Sequence, residues 1–110
     1  MNLDWDDCAR MLTVAITDTI EGLQIHHEWL VARPAELEAA AAGRGASQDL
    51  RRRFAGWSER RAFLLCPAFA RTCGVLGTDA AKWRAYAAPW LHLPVNGRLL
   101  REALNAYTRR

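Results

Sequence analysis

Pro67 to Trp83 reads "PAFARTCGVLGTDAAKW": a proline suited to open a helix, a small apolar segment, a glycine-containing break and a second apolar segment. This order predicts two short helices joined by a tight turn. Such helices cross closely when a small residue lies inside the first, a glycine sits in the turn and apolar side chains face inward from both. Ala70, Gly74, Val75, Ala80 and Trp83 supply these features in order, with Phe69 and Cys73 on the same inner face. The spacing ends the first helix at Gly74, in a left-handed conformation that a β-branched residue would adopt only at a cost of about 1–2 kcal/mol. Thr78 then caps the second helix, which runs to about Ala88 before Pro89.

Outward from this unit the periodicity stays helical. Between Cys8 and Val31, the residues Leu12, Ile16, Ile20, Leu23 and Leu30 form one apolar stripe with His27, and Arg33-Pro34 ends that helix. "AELEAAAA" predicts a short second helix stopped by Gly43-Arg44-Gly45. Ser47 caps a third segment with Leu50, Phe54 and Trp57 on one face and Arg51, Arg52 and Arg53 turned largely outward. A second start signal at Ser58-Glu59 divides this segment into two helices near Gly56. Asn96 caps a last helix with Leu100, Ala103, Leu104 and Tyr107 on its inner stripe. No stretch predicts a strand pair. The expected fold is all-α, a small bundle of about five to six helices in a single domain over residues 1–110, containing the two-helix unit.

Composition narrows the classes of function. The formal net charge of +3 conceals a strong polarity along the chain. Residues 1–43 carry eight acids against two arginines, net −6, whereas residues 44–110 carry thirteen basic side chains against four acids, net +9. Fourteen of the fifteen basic residues are arginine, whose planar fork suits phosphate and carboxylate alike. No apolar run approaches the ~18 residues of a membrane span, and "MNLDWDDCAR" is acidic where a signal peptide would be basic, so a cytoplasmic location is expected. Cys8, Cys66 and Cys73 form an odd set without an export signal and are expected to be reduced.

The 67–83 unit resembles helix-turn-helix DNA-binding domains. Phe69, Cys73, Gly74, Val75 and Asp79, with "VAITDTIEG" in the first helix, are also loosely similar to small regulatory proteins of phages and gene-transfer agents. The resemblance implies a transcriptional regulator or accessory factor with its second helix at the major groove of double-stranded DNA. By that analogy Gly77, Thr78, Ala81, Lys82 and Ala85 face the groove, and of these only Thr78 and Lys82 are able to hydrogen-bond base edges. Ala80 stands where a larger branched residue is usual, and "LGTD" is poor in polar side chains, so base discrimination is expected to be weak. Arg44, Arg51, Arg52, Arg53, Arg60, Arg61, Arg71 and Arg84 are the expected phosphate contacts. The acidic N-terminal half would then face RNA polymerase or another protein, and Leu12, Ile16, Ile20 and Leu23 could pair two chains into a homodimer. The alternative is a protein-interaction module, an inhibitor or adaptor, that applies the same arginines to an acidic partner.

Catalytic and metal chemistry find little support. His26, His27 and Glu28 are adjacent, whereas a metal pair on one helix face needs i, i+3 or i, i+4 spacing. No phosphate-binding glycine loop, nucleophile elbow or paired apolar carboxylates occur, so no enzyme activity, cofactor or metal is expected. Trp29, Trp57, Trp83 and Trp90 read as core, and Trp5, among three aspartates, as a docking residue or a staple on the first helix.

Overall fold

The computed structural model describes residues 5–108, with side chains over 9–106. All regular structure in that range is helical: α1 (Trp5–Val31), α2 (Pro34–Ala41), α3 (Gln48–Leu65), α4 (Pro67–Leu76), α5 (Ala80–Ala87), a 3-10 turn (Ala88–Trp90) and α6 (Gly97–Thr108). The six α-helices pack as a small bundle, as the periodicity predicts.

The longest element, α1, lies antiparallel against α3. The Arg60 side chain covers Gly22, His26 covers Gly56 and the Arg53 guanidinium sits 5.6 Å from the Trp29 ring, so residue numbers fall on one helix as they rise on the other. Ile16, Ile20, Leu23 and Leu30 of α1 and Leu50, Phe54, Trp57 and Leu64 of α3 are buried at this contact. Each fully buried leucine or isoleucine contributes about 1.5–3 kcal/mol before the entropy of ordering is subtracted. Leu37 and Ala40 of α2 and Leu100 and Leu104 of α6 close one end of the core, and Phe69, Cys73, Ala80 and Ala87 extend it beneath α4 and α5.

Three threonines inside α1 are accommodated by back-bonding: Thr13, Thr17 and Thr19 donate their hydroxyls to the carbonyls of Ala9, Thr13 and Ala15. Leu12 departs from the expected stripe. The register of α1 on α3 brings Leu65, the last residue of α3, abreast of Thr17, so nothing from α3 lies beside Leu12, which is exposed together with Met11 and Val14. Ile16, Ile20 and Leu23 of that stripe are buried in the chain's own core.

Two boundaries differ from expectation. Residues 48–65 form one continuous helix with no break at Gly56 or Ser58, because Leu50, Phe54, Trp57 and Leu64 are buried along its whole length on either side of Gly56. The first helix of the 67–83 unit passes through Gly74 and ends at Leu76; the left-handed residue is Gly77, φ +74°. Thr78 N donates to Cys73 O at 2.9 Å and Gly77 N to Gly74 O at 3.2 Å, the paired bonds of a Schellman stop. Gly43, φ +76°, ends α2 with the same pattern, Arg44 N donating to Ala39 O and Gly43 N to Ala40 O. Asp79, not Thr78, caps α5, its Oδ1 accepting from Ala81 N at 2.9 Å. Ser47 and Asn96 cap α3 and α6 as expected, Ser47 Oγ taking Leu50 N and Asn96 Oδ1 taking the amides of Arg98 and Leu99.

Nothing lies within 4 Å of a methyl group added at Gly74, and its backbone is helical. Gly74→Ala should therefore stabilise the protein by about 0.5–1 kcal/mol through helix propensity. Gly77→Ala should cost about 1–2 kcal/mol, because alanine meets steric strain at positive φ. Chemical denaturation of both variants checks the pair; equal shifts of one sign would place the turn elsewhere.

Candidate nucleic-acid interface

The α4–α5 unit is built as two packed helices. Pro67 occupies the first position of α4, and Phe69 and Cys73 are fully buried, with the Phe63 ring edge-on to Phe69 at 5.4 Å. Burial pushes the Cys73 thiol pKa up, so it stays protonated, and Cys66 and Cys73 are both free. Gly77 to Asp79 form the turn. Ala80 and Ala87 anchor α5 on the core, leaving Ala81, Lys82 and Ala85 exposed. Trp83 is half-buried and donates its indole N–H to Thr78 Oγ1 at 3.2 Å, so the Thr78 hydroxyl is tied into the turn.

The expected phosphate contacts divide into two groups. Arg44, Arg52, Arg71 and Lys82 are exposed. Arg51, Arg53, Arg60, Arg61 and Arg84 are half-buried, which corrects the outward placement expected for Arg51 and Arg53. The cause is visible in their bonds. Arg84 reaches back across the α3–α4 junction, Nε donating at 2.7 Å to Leu64 O at the end of α3, and Nη2 at 3.2 Å to Cys66 O, which also accepts from Phe69 N at 3.1 Å. Arg60 donates to Gly56 O at 3.0 Å. Arg53 and Arg33 both lie over the Trp29 ring, Arg33 at 3.9 Å. Arg52 is held near Asp49 at 3.5 Å in an exposed pair of little energetic weight.

The segment between α5 and α6 is positioned by the same device. Its backbone lacks regular partners, and three side chains of α1 and α3 supply donors: His27 Nε2 to His92 O at 2.8 Å, Trp57 Nε1 to Trp90 O at 2.7 Å and Arg61 Nε to Leu91 O at 2.8 Å. His26, one residue before His27, turns instead onto Gly56, so the adjacent histidines serve different elements. Among the described residues no group of three histidine, cysteine or acidic side chains is placed to hold a metal. Likewise no described helix is long and apolar enough to cross a membrane. The side chains of Trp5 and Cys8 lie outside the described range.

Two arginines that the linear reading passed over stand on the α3–α6 seam. Arg98 pairs with Glu102 at 3.1 Å, and Arg101 donates Nη2 to Ser58 Oγ at 2.9 Å, linking α6 to α3. Their i, i+3 spacing, flanking the apolar stripe of Leu100 and Leu104 on α6, is the signal that could have found them. Together with Arg61 they surround one open concavity of about 310 Å³.

Arg84→Met should lower stability by about 1–3 kcal/mol, since the Leu64 carbonyl loses its side-chain donor while Cys66 O keeps only that of Phe69 N. A melting curve as stable as wild type would free Arg84 for a surface role.

His26 gives a pH dependence. Burial first, then the positive charges of Arg60 and Arg53, hold its pKa below the usual histidine value, and its Nδ1 is enclosed without a hydrogen-bond partner. The unfolded chain therefore takes up this proton first as the pH falls. The neutral ring's contribution is complete above the unfolded pKa of about 6.5 and is lost as the pH falls through it toward the depressed native value. His26→Gln should flatten stability against pH between about 7 and 5, measured by urea denaturation at a series of pH values. An unaltered slope would assign that dependence to other groups.

No protein-family model, curated protein or solved structure matches this chain.

Proposed function

We propose that the protein is a non-catalytic DNA-binding factor that grips the phosphates of double-stranded DNA with little discrimination among sequences. The observation that carries this reading is the exposure of Arg44, Arg52, Arg71, Lys82, Arg98 and Arg101 on the part of the chain after residue 43, where basic side chains outnumber acids. Exposed cations in excess of their acids attract a polyanion and release its counterions on binding. The α4–α5 unit contributes position more than sequence reading. On its open face Lys82 is the long polar side chain, with Ala81 and Ala85 beside it, while Thr78 and Arg84 are engaged within the fold. Asp79 at the start of α5 adds a negative charge where a reading helix would approach the phosphates. Regulation would then follow from occupancy, or from a protein recruited by the acidic N-terminal half.

Fluorescence anisotropy with a random-sequence duplex at several salt concentrations tests this. Binding should weaken steeply with salt. The triple variant Arg44→Ala, Arg71→Ala, Lys82→Ala should keep the wild-type melting temperature and lower the magnitude of the log–log salt slope by about 1 for each phosphate contact removed. Absence of duplex binding at low salt, with capture of an acidic protein surface instead, would replace DNA by a protein partner.

A further inference from the structure

The concavity on the α3–α6 seam has a composition that ordinary packing does not call for. Arg61 from α3 and Arg98 and Arg101 from α6 line it, together with His92 and the Trp57 side chain, and among the described residues no acid is part of its wall. Three guanidiniums around one hollow repel one another, and the carboxylate of Glu102 engages Arg98 alone. Two of the arginines are tethered to other segments, Arg61 to Leu91 O and Arg101 to Ser58 Oγ, while Arg98 forms an exposed pair with Glu102. A guanidinium carries five N–H donors, so these tethers orient the forks and leave further donors on each. The amides of Arg98 and Leu99 are already taken by Asn96, so at this helix end an occupant draws on the arginine side chains.

We infer that this concavity binds a phosphate group. A tetrahedral phosphate accepts hydrogen bonds from several directions at once and fits arginines that approach from two helices, whereas a carboxylate offers two oxygens in one plane. Arg101 also lines a second concavity of about 370 Å³ further along the same seam, but its wall carries Glu59 and the apolar Phe54, Ala55 and Leu104, so a phosphate would meet an opposing charge there. The phosphate is therefore assigned to the hollow between Arg61, Arg98 and Arg101 alone, and a nucleic-acid backbone, whose phosphates stand exposed along its length, is able to present one there. The choice of carrier rests on the DNA-binding reading above; the phosphate site itself rests on the arginines. It places the main grip on the seam of α3 and α6 and gives the α4–α5 unit a supporting part.

The test uses the full chain, with two probes: inorganic phosphate and a random-sequence duplex. Arg98→Ala/Arg101→Ala removes two exposed side chains and should leave the melting temperature close to wild type. Duplex affinity should fall about tenfold or more, and the salt slope should shrink by about 2, a larger effect than that of Arg71→Ala/Lys82→Ala. Inorganic phosphate should shift the arginine Nε–H resonances of Arg61, Arg98 and Arg101 in the wild type. If the seam variant binds duplex as the wild type does while Arg71→Ala/Lys82→Ala is weakened, the seam is overturned as the grip on DNA and the DNA reading stands. If phosphate shifts these resonances but no duplex binds, the phosphate site stands and the nucleic-acid carrier is overturned. If neither probe binds, both inferences fall.

Discussion

The antiparallel contact between α1 and α3 is the constraint from which the rest of the molecule follows. It buries the apolar stripes of both helices, and at two points it has a glycine on one helix beneath a long side chain of the other, Gly22 under Arg60 and Gly56 under His26. A methyl group at Gly56 would sit 2.5 Å from His26 Nε2, so close approach requires the absence of a side chain there. Each glycine would cost an isolated helix about 1 kcal/mol. The gain is a contact tight enough to hold Trp57, Arg61 and His27 where the following segments need them.

Those three side chains show how a helical pair organises irregular backbone. The stretch between α5 and α6 has carbonyls that no helix satisfies, and buried or half-buried donors from α1 and α3 meet them at 2.7–2.8 Å. Arg84 performs the same service at the end of α3. Arginine suits this work because its fork can reach a carbonyl while its stem packs on apolar surface. The abundance of arginine therefore has two physical origins in this protein. One set closes the backbone's hydrogen-bond account, and the other stands in solvent.

That division changes which surface matters. A linear reading weights the arginine run before the α4–α5 turn and the turn itself. In three dimensions Arg53, Arg60 and Arg84 face inward contacts, and the polar end of Thr78 bonds Trp83, so the α4–α5 unit keeps little with which to read a base. Arg98 and Arg101, more than thirty residues beyond the run, meet Arg61 because α6 returns to the seam with α3. The strongest concentration of guanidinium groups around a hollow is a product of chain return.

Helical periodicity made most of the fold legible. The stripe Ile16, Ile20, Leu23 and Leu30, the caps Ser47 and Asn96, the break at Arg33-Pro34 and the stop at Gly43 are encoded by residues within a few positions of one another, and the structure carries them as read. The end of α4 was displaced from Gly74 to Gly77 because two nearby glycines offer the same local signal. Only the second lies where the Schellman bonds to Cys73 and Gly74 can form while Phe69 and Cys73 remain buried. Leu12 left the core, and Residues 48–65 stayed unbroken, because both depend on where a partner helix begins and ends. The functional residues were least legible. Charge and residue type are local properties, but whether a guanidinium caps a carbonyl or faces solvent depends on which segment folds back beside it. The sequence by itself determined a helical bundle with its positive charge after residue 43; the tertiary structure decided which arginines remain at the surface, because only packing brings a distant carbonyl or a second helix within reach of a side chain.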